Sequence, residues 1–133
     1  MVDPYSALAP LYDRMVADPG IQALYAEWRQ SLRDAARAHA IRPRVIVDLA
    51  CGTGNTTVPW LTGAGRTVIG VDRSEAMLRV ARRKSARVRW VRQNLERLRL
   101  DVQADVVTCH FDALNHVLEA AGLPEPKSVN GVK

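Results

Sequence analysis

Aromatic residues are scarce in this sequence, with three tryptophans, three tyrosines and one phenylalanine making up 5% of its 133 residues. The aromatics near the arginine-rich stretch of residues 73–99 do not form the stacking platform that single-stranded nucleic acids require. Although the net charge is +5, we interpret that stretch as a solvated helix face. A nucleic-acid partner is therefore not expected.

Cysteines and long apolar runs are rare as well. Cys51 and Cys109 are the only cysteines, and neither belongs to a CxxC pair or to a Cys/His cluster with metal-ligand spacing. We expect reduced thiols and no metal site. No apolar run is long enough to cross a membrane, and the first ten residues lack the basic and apolar parts of a targeting leader. The sequence therefore predicts a cytoplasmic protein without membrane contacts.

The first 43 residues have the pattern of helices. Asp18 is suited to cap a helix that begins at Pro19. Apolar side chains then recur at helical spacing, at Ile21, Leu24, Tyr25, Trp28 and Leu32. A shorter helix ahead of Asp18 is expected to be interrupted by Pro10. We therefore predict a helical N-terminal segment over residues 1–43.

Strands and helices alternate over residues 44–122. Strands are predicted at 45–49, 67–71, 88–92 and 105–109, and helices at 56–61 and 74–85. Ser74 is suited to cap the second of these helices, and Asp112 a final helix that ends near Gly122. Residues 123–133 form a polar tail. The alternation predicts an α/β fold with a parallel sheet and flanking helices.

A glycine turn follows the first predicted strand and opens a helix, which is the setting of a nucleotide-binding loop. Gly52 and Gly54 allow the backbone to turn tightly and to approach a ligand. In a dinucleotide-binding loop a third glycine permits close packing of the helix, but Thr57 stands at that position. This disfavours a pyrophosphate cofactor and, with it, an NAD-dependent oxidoreductase.

Asp72 ends the second predicted strand, 20 residues after Gly52 (72 − 52). At that position an acid can accept hydrogen bonds from both hydroxyls of a ribose. The alternative interpretation is a surface aspartate that caps the next helix, a role that Ser74 already fills. The turn and Asp72 together predict a site for an adenosine-containing cofactor.

Three segments, VDLACGTGNTT, GVDRSEAML and ADVVTCHFDALNHVL, resemble the successive motifs of class I methyltransferases that use S-adenosylmethionine (SAM). The N-terminal PLYDRM is similar to the helical lid of these enzymes. The resemblance implies a Rossmann-like sheet of order 3-2-1-4-5-7-6, of which this chain supplies only the first four strands, in the order 3-2-1-4. It further implies SAM as the cofactor and a small molecule as the methyl acceptor.

The resemblance implies the following cofactor-binding residues: Tyr12, Asp48, Ala50, Cys51, Gly52, Gly54, Asp72, Arg73, Met77, Asn94, Leu95 and His110. Among them, Asp48 is expected to orient the turn and help hold the methionine end of SAM. Arg73 and Met77 are expected to flank the adenine. Asn94 stands where the family usually has an aspartate that accepts from the adenine amino group, and its carbonyl can still accept.

His110 is the one candidate for a catalytic base, because it comes just after the fourth strand. It could assist proton removal from an amine or hydroxyl, although a plain loop residue explains its position equally well. A base is not essential, since the sulfonium is already a good leaving group and alignment supplies much of the rate. Cys51 is expected to pack rather than to act as a nucleophile.

Only the half of the family fold that binds SAM is predicted here. Residues 1–43 would form a helical lid, residues 44–122 a partial SAM-binding domain and residues 123–133 a tail. The fourth strand, with Val106 and Val107, would lie at an open edge. Two explanations stay open: a fragment, which we prefer, or a short protein that forms a homodimer across that edge. A non-catalytic SAM-binding module is the alternative function.

Overall fold

The computed structural model describes residues 3–62 and 65–110. Its helices and strands are, in chain order, α1 (Ala9–Met15), α2 (Pro19–Ala38), β1 (Val45–Leu49), β2 (Thr67–Asp72), α3 (Glu75–Lys84), β3 (Arg89–Arg92) and β4 (Val106–Cys109). Short 3₁₀ helices cover Val58–Leu61 and Leu95–Arg97. The predicted final helix after Asp112 and the tail lie outside the described residues.

The four strands form one parallel sheet of order β3-β2-β1-β4, which confirms the predicted fold class. Val47 of β1 lies opposite Ile69 of β2 on one side and Val107 of β4 on the other. Asp105 fixes the start of this arrangement, because its carboxylate accepts from the backbone N–H of Val45 at 2.8 Å. All four strands therefore end at the same edge of the sheet, which is where parallel sheets place their ligands.

Alternate residues of the central strands face two apolar clusters, because side chains along a strand point to opposite faces in turn. Ile46 and Val68 pack with Trp60 and Val88 on one face. On the other face the cluster consists of Val47, Ile69 and Val71. This confirms that the first strand is buried on both faces.

The predicted helix caps at Asp18 and Ser74 are confirmed. Asp18 accepts from the backbone N–H of Gly20 at 2.8 Å at the start of α2, and Ser74 accepts from that of Met77 at 3.2 Å at the start of α3. The apolar face of α2 is narrower than predicted, since Tyr25 is buried whereas Leu24 is 38% exposed.

Two local predictions are wrong. Pro10 does not interrupt a helix but stands in the first turn of α1, where a missing N–H costs nothing. The helix predicted over residues 56–61 is a 3₁₀ helix confined to Val58–Leu61. Pro59 has no N–H to donate, and the Trp60 N–H bonds to the carbonyl of Thr57, three residues back, at 3.1 Å.

Candidate functional site

The loop after β1 has an unusual backbone. Ala50, Gly52 and Gly54 have φ angles of 53°, 56° and 85°. Three left-handed residues within five positions turn the chain sharply at the carboxyl edge of the sheet. Because a side chain is strained in that conformation, Ala50 stores strain at the turn, and such strain concentrates at functional sites. The predicted tight turn is therefore present, with an alanine as its strained member.

Asp72 joins this loop to the start of α3. One oxygen of its carboxylate accepts from the backbone N–H of Gly52 at 2.8 Å, and the other accepts from that of Ser74 at 2.8 Å. The side chain is half-buried. An ionised carboxylate has about four lone-pair sites, so both oxygens can accept further hydrogen bonds from a ligand. Asp72 is thus fixed in place and still able to bind.

Asp48 is fully buried beneath the same loop. Its carboxylate accepts from the hydroxyls of Thr57 at 2.6 Å, Thr108 at 2.8 Å and Thr56 at 2.9 Å. Burial raises its pKa above the ordinary value, while these three hydroxyls act in the opposite direction. Asp48 therefore orients the turn, whereas its predicted contact with the methionine end of a cofactor stays a prediction.

The threonines around Asp48 were missed by the sequence analysis. Thr57 not only replaces a third glycine but is also fully buried and donates a hydrogen bond to Asp48. Two hydroxyl residues eight and nine positions after a strand aspartate were the available signal. The contact with Thr108 had no local signal, since 60 residues separate the partners.

Trp90 was also missed. Its indole lies against both Gly54 in the turn and Gly70 in β2, where an added Cβ would stand 2.5 Å and 2.6 Å from ring atoms. The indole N–H donates to the carbonyl of Ser85 at 2.9 Å, which fixes the ring. Gly54 is therefore required by an indole packed beneath the turn, in addition to its left-handed backbone.

Asp13 of α1 connects the N-terminal segment to the glycine turn. Its carboxylate accepts from the Thr53 hydroxyl at 2.6 Å and from the Asn55 amide at 3.0 Å, and its second oxygen lies 2.7 Å from Lys84 Nζ. Although burial acts to raise it, the pKa of Asp13 is lowered, because Lys84 and these donors stabilise the carboxylate. We call Asp13, Thr53, Asn55 and Lys84 the latch.

Tyr12, next to Asp13, is half-buried in front of the turn. It forms a hydrogen bond with Tyr25 of α2. Burial raises the pKa of Tyr12, and burial together with the neighbouring Tyr12 raises that of Tyr25 to about 12. Both phenols are therefore neutral at physiological pH. The tyrosine pair joins α1 to α2, and the latch joins α1 to the glycine turn. That residues 1–43 form a lid and that Tyr12 contacts a ligand both stay predictions.

Two of the predicted residues pack inward next to the turn. Cys51 is 6% exposed, and burial together with the charges of Asp72 and Asp48 raises the pKa of its thiol. This agrees with the expected packing role and argues against a nucleophile. Met77 of α3 is 3% exposed, so contact with an adenine would require it to move or to present only an edge.

Three further predicted residues follow the ends of β2 and β3. Arg73 is exposed at the end of β2. Asn94 is exposed and accepts from the backbone N–H of Glu96 at 3.0 Å, so it caps a 3₁₀ helix. Leu95 packs against the cluster around Val47. In the described part of the chain, none of these three side chains forms a hydrogen bond with the carboxylate of Asp72.

His110 lies just beyond β4, stacked on Trp28 of α2 with ring centroids 5.1 Å apart and planes at 5°. Burial raises the pKa of the nearby Asp48, and His110 is close enough to oppose that rise. His110 thus connects the N-terminal segment to β4, and its role as a base stays a prediction.

Three carboxylates surround the turn in a chain whose net charge is +5. The charges of Asp48 and Asp72 act to raise the pKa of the Cys51 thiol. Those of Asp13 and Asp72 act to raise the pKa of the Tyr12 phenol. Lys84 balances the charge of Asp13 and burial raises the pKa of Asp48, so Asp72 is the carboxylate that faces the strained loop without an ion pair among the described residues. Within residues 3–62 and 65–110, no group of three His, Cys, Asp or Glu residues is placed to hold a metal ion. No described helix is long and apolar enough to cross a membrane.

Comparison with known proteins points to one family. Residues 46–125 match the family described as "Methyltransferase domain". A Geobacillus protein that is named as a methyltransferase without a stated substrate is 33% identical over 119 residues, which are 86% of this chain and 47% of that protein. The ubiquinone biosynthesis O-methyltransferase of Bordetella avium is 31% identical over 133 residues, covering 96% of this chain and 47% of that protein.

Solved structures agree with the sequence comparison. A SAM-dependent methyltransferase from Clostridium acetobutylicum is similar with a TM-score of 0.66 and 25% identity, over 90% of this chain and 48% of that one. An amino pentose methyltransferase from Micromonospora echinaspora, solved with SAM bound, has a TM-score of 0.63 and 25% identity. The match covers 87% of this chain and 45% of that one. The chain spans about half the length of the first curated relatives it matches, between 44% and 56%.

Proposed function

Because this chain belongs to the methyltransferase domain family, we propose that it binds SAM at the carboxyl edge of its sheet and serves the transfer of a methyl group to a small molecule. The proposed contacts are those predicted from the sequence, with the glycine turn and Asp72 at their centre. Residues 1–43 are proposed as the lid and residues 44–122 as the domain that carries the site.

The hydrogen bonding of Asp72 is the observation that carries this proposal. Its two oxygens are held by the N–H groups of Gly52 and Ser74. This orientation leaves lone pairs for the two hydroxyls of an adenosine ribose. A ribose 2′-phosphate would be repelled by the same carboxylate, so an unphosphorylated ribose is favoured.

The charge of the site supports SAM over an anionic nucleotide. SAM carries a sulfonium and an ammonium against one carboxylate, so it has a net positive charge at neutral pH. The Asp72 carboxylate at the turn, which forms no ion pair within the described residues, favours such a ligand and disfavours a pyrophosphate. The NAD-dependent oxidoreductase considered from the sequence is disfavoured by the same arrangement.

When bound, SAM supplies the methyl group as an activated sulfonium, so the protein mainly has to align the acceptor. In this chain Tyr12 and Asp13 would close the lid over the methionine end. His110, held by stacking on Trp28, is proposed to face the acceptor and to receive a proton where the acceptor must lose one.

Calorimetric titration with S-adenosylhomocysteine tests this proposal. Wild type should bind, and Asp72→Ala should weaken binding by about tenfold or more, because hydrogen bonds to a charged group are worth about 1.5–3 kcal/mol. Asp101→Ala is the matched control, since Asp101 is exposed and its ion pair among the described residues is with Arg89 at 2.8 Å. Failure of wild type to bind would contradict the proposal.

A non-catalytic SAM-binding module is the second candidate, favoured by the exposed Asn94 that caps a turn at the predicted adenine contact. It predicts binding of S-adenosylhomocysteine without turnover of SAM against a panel of small amines and hydroxyls. Methylation of any acceptor, lost in Asp72→Ala and retained in Asp101→Ala, would decide for the enzyme.

We propose a small-molecule acceptor, a cytoplasmic location and no nucleic-acid partner. The acceptor class is supported by one relative named for ubiquinone biosynthesis and one similar structure named as an amino pentose methyltransferase. An electrophoretic mobility shift assay with a mixed-sequence RNA tests whether the protein binds nucleic acid. Binding at physiological salt would contradict the proposal of no nucleic-acid partner.

A further inference from the structure

We propose that this protein has an anion-binding site at the amino edge of the sheet, suited to a small organic molecule that carries a phosphate or a carboxylate. The site is a cavity of about 310 Å³ lined by Arg33 and Arg37 of α2, by Arg66 before β2, and by Gln30 and Thr62. We call it the arginine cavity. Its volume lies at the small end of ligand pockets.

Two of the three guanidinium groups are held in place by neutral partners. Arg66 donates to the carbonyl of Thr62 at 2.9 Å. Arg33 donates to the Thr62 hydroxyl at 3.3 Å, and its guanidinium lies 5.7 Å from the ring centroid of Trp60. These contacts orient both side chains without neutralising their charge.

The positive charge of the cavity is poorly balanced. In the described stretches of the chain, neither Arg33 nor Arg66 forms an ion pair with a carboxylate. Arg37 lies 3.6 Å from Asp34, but their side chains are 76% and 61% exposed, and such surface pairs contribute little. Burial and the charge of Arg33 lower the pKa of the nearby Arg29. An entering anion would therefore meet an attractive field.

The shape and chemistry of the lining define the ligand class. Guanidinium groups present parallel N–H donors that match the oxygens of phosphates and carboxylates. Ala36, Ile41 and Pro43 complete the cavity with apolar surface. An organic anion fits this combination better than an inorganic one.

The arginine cavity is separate from the proposed cofactor site. Pro43 and Arg66 precede β1 and β2, whereas the glycine turn follows β1. A five-residue strand spans roughly 16 Å, so the two sites lie at opposite ends of the sheet. The Asp72 carboxylate lies at the turn, whereas three arginines line this cavity. The two sites therefore select ligands of opposite charge.

Calorimetric titration of the full chain with phenyl phosphate and with benzoate, at constant ionic strength, tests the proposal. At least one probe should bind saturably and more tightly than inorganic phosphate. Arg33→Gln should weaken that binding by about tenfold, because a charge-assisted hydrogen bond is lost. Arg79→Gln is the matched control, since Arg79 is an exposed arginine of α3. Circular dichroism establishes that both variants fold.

Each outcome bears on the proposal. Binding of phenyl phosphate alone identifies a phosphate site, and binding of benzoate alone identifies a carboxylate site. Absence of saturable binding by both probes overturns the proposal, as does equal weakening by Arg33→Gln and Arg79→Gln, which would indicate a general charge effect. S-adenosylhomocysteine binding should be the same in Arg33→Gln as in wild type, so this test is independent of the cofactor site.

Discussion

The hydroxyl of Thr53 in the glycine turn donates a 2.6 Å hydrogen bond to the carboxylate of Asp13 in α1, across 40 residues of sequence. Lys84 at the end of α3 lies 2.7 Å from the other oxygen of Asp13. One side chain of the N-terminal segment thus connects the loop that forms the proposed cofactor site to the C-terminal end of α3.

Replacing Asp13 by Asn should loosen the latch. The variant keeps the shape of the side chain but loses the ion pair with Lys84, and its amide nitrogen cannot accept a hydrogen bond. After allowance for solvent screening of this half-exposed group, we expect a loss of about 1 kcal/mol in the free energy of unfolding. Urea denaturation measures it. Asp101→Asn, which changes an exposed surface pair, should leave the urea midpoint unchanged.

The latch also predicts how stability depends on pH. The pKa of Asp13 is lowered in the folded state, so the folded state holds this carboxylate ionised more firmly than the unfolded chain, whose value is about 3.9. Its contribution is present above about pH 4 and is lost as the pH falls through the lower folded-state pKa. The difference in urea midpoint between wild type and Asp13→Asn should therefore shrink below pH 4. A constant difference down to pH 2 would contradict this.

Gly54→Ala should be strongly destabilising because the new Cβ would stand 2.5 Å from the Trp90 indole at a φ of +85°. We expect a loss of about 2–4 kcal/mol in the free energy of unfolding, from overpacking and left-handed strain together. Gly52→Ala is the matched control, since φ is +56° and nothing lies within 4 Å of the added Cβ.

Gly52→Ala should lower the free energy of unfolding by about 1–2 kcal/mol, because only the left-handed strain is added. A double-mutant cycle between Gly54→Ala and Trp90→Leu separates the two causes. The cost of Gly54→Ala should fall towards that of Gly52→Ala when the indole is absent. Equal costs of Gly54→Ala in the two backgrounds would show that the ring is not responsible.

Thr57→Val should destabilise the turn through Asp48. Valine has nearly the same shape as threonine, but it removes the 2.6 Å hydrogen bond to a carboxylate that is fully buried. Loss of a donor to a buried carboxyl group costs about 1–3 kcal/mol. Thr67→Val, at the exposed start of β2, serves as the control and should have almost no effect. Thermal unfolding followed by circular dichroism compares the two variants.

The edge of β4 is the surface at which two copies of the chain would pair as a homodimer. In the sheet formed by the described residues β4 lies at an edge, and Val107 is 58% exposed there. If two copies pair across this edge, light scattering should give twice the mass of the chain, and Val107→Lys should restore the monomer. A monomeric wild type at high concentration would exclude the homodimer.

Much of the fold could be predicted because its signals are local. The strand at Val45–Leu49, the cap at Asp18 and the cap at Ser74 all agree with the structure. Each depends on neighbouring residues and on a fixed period of the backbone. The errors at Pro10 and at residues 56–61 arose where a proline fits two interpretations, since it opens a helix as readily as it breaks one.

The sequence by itself determined the kind of fold and the place of the turn, because periodicity, glycine spacing and helix caps act within a few residues. Only the tertiary structure decided how the turn is held: Asp13 contacts Thr53 across 40 residues, Thr108 contacts Asp48 across 60, and Trp90 fills the space left by Gly54 and Gly70. These contacts depend on sheet order and side-chain packing, and no local pattern encodes which distant residues the sheet brings together.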